Sequence, residues 1–214
     1  MIVSLNEAAV MATKAASGAG RPWGLAQEAG QAMAALEAMR LPGAASLLGL
    51  LLETDKTPCE KMRPISTRGS ILQGKGPMCP ILVGTYYADS EGCHRRTVNK
   101  MHNVRYPLLL LPFARMPWDG VQLEWQNTTV IANFREADVK GSGLTAPIGE
   151  TVSVAPVDPA LLAQSSRAHL YQPGPVDIAD EIWEGLSAFA HRTYVPASEA
   201  SRLKGAGAGL TDND

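Results

Sequence analysis

Hydrophobic residues change their spacing twice along this chain, and the order of those changes limits the folds open to it. In the first fifty residues they recur at helical spacing: Leu25, Ala29, Met33 and Leu36 share one stripe, as do Ala44, Leu47, Leu48 and Leu51. In the middle the period falls to two. Val121, Leu123 and Trp125 alternate with Gln122 and Glu124, as on a strand with one wet face. After Pro173-Gly174-Pro175 helical spacing returns with Ile178, Ile182, Leu186 and Phe189. Helices, then strands, then a helix is the order of an α+β fold, not of a βαβ repeat. The expected layout is one domain over residues 1–214. It divides into a helical layer (1–53), a mainly antiparallel sheet (70–171), a C-terminal helical stretch (175–204) and a Gly-rich tail (205–214).

Local signals set the expected boundaries. Ser4-Leu-Asn-Glu7 is a capping box that opens the first helix, and Gly18-Ala-Gly20 offers a left-handed cap after Ser17. A second helix is expected from Gly24 to Met39, broken by Leu41-Pro42-Gly43. Thr54 to Gly76 reads as a long loop. Strands are expected at Ile81–Tyr87, Val104–Leu111 (edge or bulged, because of Pro107) and Val121–Trp125. A hairpin partner is expected at Thr129–Phe134, with weaker strands at Glu150–Ala155 and Arg167–Tyr171. Asp177 is expected to cap a helix running to Thr193.

Composition excludes several classes of function. A net charge of −2 over 214 residues gives no electrostatic footprint for nucleic acid or an anionic membrane. With 45% hydrophobic and 19% charged residues the chain has a globular balance. No apolar run is long enough to span a bilayer, and Glu7 falls where a signal peptide needs its apolar stretch. Cys59, Cys79 and Cys93 form neither a C-x-x-C pair nor a disulfide framework, so a reducing cytoplasm is the expected compartment. No metal is expected, because His102, His169 and His191 lie far apart without ligand spacing. No cofactor is indicated.

The stretches that invite chemistry lie at the two ends. Gly205-Ala-Gly207-Ala-Gly209 follows helical sequence rather than a strand, so it is no dinucleotide loop, and no Gly-Lys-Ser/Thr triplet makes it a P-loop. It reads either as a helix cap with a loose tail or as a nest of backbone amides beside Arg202, suited to a carboxylate or phosphate. A contact between copies of the chain is the third reading. Gly18-Ala-Gly20-Arg21-Pro22-Trp23-Gly24 has a similar character near the other end. Either Trp23 is core in a tight helix–helix corner, or Arg21 and Trp23 join Arg202 in one pocket, with Glu28 nearby.

Glu199, Ser201 and Arg202 sit between Pro196 and the glycines; Glu199 and Arg202 either pair along one helix face or act on a ligand. A Ser201–His191 nucleophilic pair lacks the strand-to-helix elbow that such chemistry uses. Cys93-His94-Arg95-Arg96 has the charge to activate a thiol, but in extended backbone Cys93 and His94 point to opposite faces. Asp212 and Asp214 with Glu199 offer oxygens to a hard cation, or are simply solvated.

Three stretches carry a resemblance. Ile2-Val-Ser-Leu-Asn-Glu7, Gly18-Ala-Gly-Arg-Pro-Trp-Gly-Leu-Ala-Gln-Glu-Ala-Gly30 and Thr193-Tyr-Val-Pro-Ala-Ser-Glu-Ala-Ser-Arg-Leu-Lys-Gly-Ala-Gly207 are similar to a bacterial family of unknown function, found largely in proteobacteria. The resemblance implies a bacterial cytoplasmic protein and brings no activity, cofactor or catalytic residue. The expectation is a site for a small anionic metabolite, a carboxylate or phosphate, where the two Gly-Ala-Gly corners meet. Arg21, Trp23, Ser201, Arg202, Gly205, Gly207 and Gly209 would bind it, and Glu199 would be the acid or base. The alternative is a non-catalytic accessory subunit whose C-terminal segment docks into a partner or into a homodimer.

Overall fold

A computed structural model describes residues 1–68, 70–89, 99–114, 120–158 and 169–194. Strand β1 (Ile2–Val3) leads into helix α1 (Leu5–Gly18). Its capping box is complete: the Ser4 hydroxyl accepts from the Glu7 amide at 3.2 Å, and the Glu7 carboxylate accepts from the Ser4 amide at 2.8 Å. Donation to the carboxylate from the Ser4 amide, and from the Ser4 hydroxyl at 2.7 Å, lowers the Glu7 carboxyl below its ordinary range. Helix α2 (Trp23–Ala38) lies against α1, and the seam is built from small residues. Ala8, Ala12, Ala15 and Ala16 on α1 and Ala26, Ala29 and Gly30 on α2 are all buried. A Cβ on Gly30 would collide with the Thr13 side chain and the Ala9 carbonyl, so the two axes run close together.

Helix α3 (Gly43–Glu53) has no cap from its own flank; the side chain of Glu37 on α2 accepts from the Ala44 amide at 2.7 Å instead. Burial is the larger effect on Glu37 and raises its carboxyl, while the Ala44 and Gly43 amides and Arg40 draw it down. The stretch expected to be a loop holds a 3-10 turn (Cys59–Lys61) and a short hairpin, β2 (Ser66–Arg68) with β3 (Ile71–Gln73).

Two expected strands are corrected. Ile81–Tyr87 lies in helix α4 (Pro80–Asp89). An apolar run this short does not distinguish a strand from a buried helix. Here Pro80 stands at the first helical position, and Pro80, Val83, Gly84 and Tyr87 make a buried helical stripe. Val104–Leu111 is divided: strand β4 (Lys100–Arg105) ends at Tyr106, whose φ of 39° turns the chain. Pro107–Leu110 is then a 3-10 turn continuing into the short helix α5 (Leu111–Ala114). Leu108 to Leu111 are all buried, with α2, α3, α4 and the sheet around the turn.

The hairpin β5 (Val121–Trp125) and β6 (Thr128–Ala132) forms where expected, with Trp125 opposite Thr128. Strand β7 (Glu136–Lys140), unforeseen in the sequence, pairs next to β6. Strand β8 (Ile148–Pro156) is longer than expected and joins β4 to β5, and β9 (His169–Leu170) closes the edge. The order is β2-β3-β4-β8-β5-β6-β7-β9, antiparallel except for β3 against β4. Val121, Leu123, Trp125, Val130, Val152 and Val154 point into the core. Strand β10 (Val176–Asp177) pairs with β1, and helix α6 (Asp180–His191) follows. The expected cap at Asp177 is displaced: Asp177 belongs to β10, and Ala179 occupies the capping position. The fold is α+β, with the helical layer and the inner face of the sheet sharing one core.

Candidate functional site

Helix α1 ends in a Schellman motif. The Gly20 amide donates to the Ser17 carbonyl at 2.9 Å and the Arg21 amide to the Ala16 carbonyl at 3.0 Å. This geometry needs a left-handed residue after the cap, and Gly20 supplies it with φ of 90°. The chain then turns through Pro22 directly into α2. No side chain caps the first turn of α2, and the space around Gly24 is open. Trp23 stands there 62% exposed, so it is not core.

Arg21 turns inward. Its guanidinium donates to the Thr54 carbonyl at 3.0 Å, to the Thr57 carbonyl at 3.1 Å and to the Thr54 hydroxyl. Thr54 is the C-terminal cap of α3, so a buried cation meets the carbonyl end of that helix. The next loop is tied to the same corner, because the Lys56 amide donates to the Ala19 carbonyl at 3.0 Å.

Helix α6 packs along α1 and ends at this corner. Gly18 lets it in: a Cβ there would strike the backbone carbonyl of Phe189. Arg192 lies 4.4 Å from the centre of the Phe189 ring and bridges to Asp55 at 2.7 Å. Tyr194 accepts from the Lys14 ammonium at 3.3 Å, with the ammonium 5.2 Å from its ring centre. Arg21 is thus taken up by the end of α3, Arg192 by Asp55, and Lys14 by Tyr194. Residues 195–214 follow Tyr194 in the chain. Glu199, Ser201, Arg202, Gly205, Gly207 and Gly209 lie outside the described residues, as do Cys93, His94, Arg95 and Arg96.

Two further hollows escaped sequence reasoning. A cavity of about 340 Å³ between α2, α4 and α5 is lined by Glu28, Gln31, Thr85, Asp89 and Phe113. Glu28 faces this hollow, and no signal marked Thr85 or Asp89 while that stretch read as a strand. A groove of about 520 Å³ is lined by Leu5, Ala9, Ala34, Ala38, Phe134 and Tyr171. Phe134 and Tyr171 are roughly half exposed, each at the end of an expected strand, where nothing local announces that they share a groove. Among the described residues no three His, Cys, Asp or Glu side chains are grouped to hold a metal ion. Among them, too, no helix is long and apolar enough to cross a membrane.

The described residues define an α+β protein with an alanine-rich helical layer in which a buried arginine braces the corner before an uncapped helix start. Residues 3–75, about a third of the chain, match the model of a family described as a protein of unknown function (DUF3726). The matched segment includes the Ser4–Glu7 capping box, the Gly18–Trp23 corner and the Thr54–Thr57 loop that holds Arg21. No curated protein matches the chain, and no solved structure does.

Proposed function

We propose that the protein binds a small carboxylate or phosphate metabolite at the α1–α2 corner. The supporting observation is what converges there: the uncapped first turn of α2, exposed Trp23, and the end of α6. The amino end of a helix favours an anion through its free amides and dipole. Trp23 offers a flat apolar wall. Arg21 acts from behind, holding the corner in shape and adding positive potential. In this reading Arg202 pairs with the anion, the Ser201 hydroxyl and the amides of Gly205, Gly207 and Gly209 complete the cradle, and Glu199 is the acid or base of any reaction. The proposed setting is a bacterial cytoplasm.

The test is thermal stability in a panel of small carboxylates and phosphates, with the full chain, Arg202→Ala and a chain lacking residues 205–214. Binding to the folded state raises the midpoint in a concentration-dependent way. The full chain should respond and both variants should not. An Arg202→Ala protein that responds like the parent removes Arg202 as an anchor. A full chain that responds to no anion ends this reading.

The rival is an accessory or structural subunit, and the apolar groove beside Phe134 and Tyr171 favours it. Loss of assembly on deleting residues 205–214, with no anion response in the full chain, is its signature.

A further inference from the structure

The cavity beside α4 and the groove beside Phe134 run into each other along α2, because Gln31 and Ala35 line both. From Glu28 in the cavity to Ala38 in the groove the helix advances about 15 Å. The two ends differ in chemistry. The cavity, about 340 Å³, is lined by two carboxylates, Glu28 on α2 and Asp89 on α4. Its other polar lining is the Gln31 amide and the Thr85 hydroxyl. The Thr85 hydroxyl donates to the Leu82 carbonyl at 3.1 Å, which leaves its oxygen to accept. Among the described residues no Lys, Arg or His lines the cavity, and neither carboxylate has a hydrogen-bond or ion-pair partner. Phe113 adds an apolar wall. The groove, about 520 Å³, is lined among the described residues by no charged side chain at all, only by alanines, Leu5, Gln31, Phe134 and Tyr171.

We infer that cavity and groove together are a site for an amphipathic primary amine, its ammonium group in the cavity with Glu28, Asp89 and Thr85 and its alkyl or aryl body over Ala35 in the groove. An ammonium group only donates, and the polar lining of the cavity can accept throughout, Gln31 through its carbonyl oxygen. Charge selects in the same direction. The two carboxylates repel an anion, and a cation relieves their mutual repulsion. A bare divalent cation fits less well, since it needs a nearly complete shell of oxygens and here Phe113 and alanines occupy much of the wall. The apolar body of the ligand gains from leaving water along the groove, where Phe134 and Tyr171 stand roughly half exposed. The cavity alone falls within the range of small-molecule sites, about 300 to 1,000 Å³. This site is separate from the anion corner at the start of α2 and stands or falls independently of it.

The test is calorimetric titration of the full chain at neutral pH with butylamine, hexylamine and octylamine, and with octanoate, octanol and putrescine as comparators. The amines should bind, each added methylene tightening binding by up to about fourfold. Octanoate should not bind, octanol should bind more weakly than octylamine, and putrescine, which has charge without a tail, should also be weaker. Glu28→Gln and Asp89→Asn keep the shape and remove the charge, so each should weaken octylamine by roughly tenfold. Tyr171→Ala should weaken octylamine and leave putrescine unchanged. A melting temperature close to the parent's in the absence of amine shows that each variant is folded. No amine binding in the parent, equal affinity for octylamine and octanoate, or full octylamine affinity in both carboxylate variants would overturn the inference. Putrescine bound as tightly as octylamine would remove the groove from the site and overturn it as well.

Discussion

Arg21 illustrates how a residue type can be right for chemistry and yet be used for architecture. The residue is 6% exposed, and the donors that the structure accounts for go to Thr54 and Thr57. Arginine suits this place because its charge persists when buried and its planar fork reaches several acceptors at once. Arg21→Ala would leave the end of α3 with buried carbonyls and no donor, a loss on the order of 2 to 3 kcal/mol. A shift of the urea midpoint at unchanged slope would report it. An Arg21→Ala protein as stable as the parent would mean that water replaces the guanidinium at little cost. The sequence marked Arg21 as special through the glycines and proline around it. It did not mark the direction of the side chain, because the acceptors lie beyond α2 and α3, and nothing local announces them.

At the scale of elements, what could be read was what local chemistry decides. The box at Ser4 and Glu7, the left-handed Gly20, and the stripes of α2 and α3 each depend on residues within a turn or two of one another. Helix α4 was not legible, since Ile81 to Tyr87 is apolar on nearly every side and β-branched or aromatic at several positions. Its helical state is set by tertiary packing, with Gly84 flush against the Phe113 ring. The glycines of the first corner separate by the same argument. At Gly18 an added methyl group meets the Phe189 backbone, which cannot rotate away, so Gly18→Ala should destabilise by about 1 to 3 kcal/mol. At Gly24 nothing stands within 4 Å, and Gly24→Ala gains up to about 1 kcal/mol of helix propensity. Thermal melts of the two variants should therefore move in opposite directions. Equal effects would show that α6 does not press on α1 as closely as Gly18 implies.

For the molecule as a whole, α6 connects fold and proposed function, because it delivers the chain to the corner at Tyr194. Its hold on the helical layer rests on few residues: Leu186, Phe189 and Ala190 are its buried positions, against α1 and α3. The candidate site divides along the same line. The half built from α1 and α2 was legible from its turn residues, whereas the half proposed for residues 199–209 rests on composition alone. Leu186→Ala should cost about 2 to 5 kcal/mol by opening a cavity beneath α6. If the corner is the anion site, that variant should also lose most of the anion response, since the end of α6 is then less firmly held against α1. A matched control lies in the sheet. Trp125→Phe removes the indole donor to the Gly143 carbonyl at 2.9 Å and should lower stability through the core without touching the corner. The pair separates two causes of a weakened response. A deficit confined to Leu186→Ala ties binding to the docking of α6; equal deficits in both variants would trace it to global stability; and an undiminished response in Leu186→Ala would move the anion away from this corner.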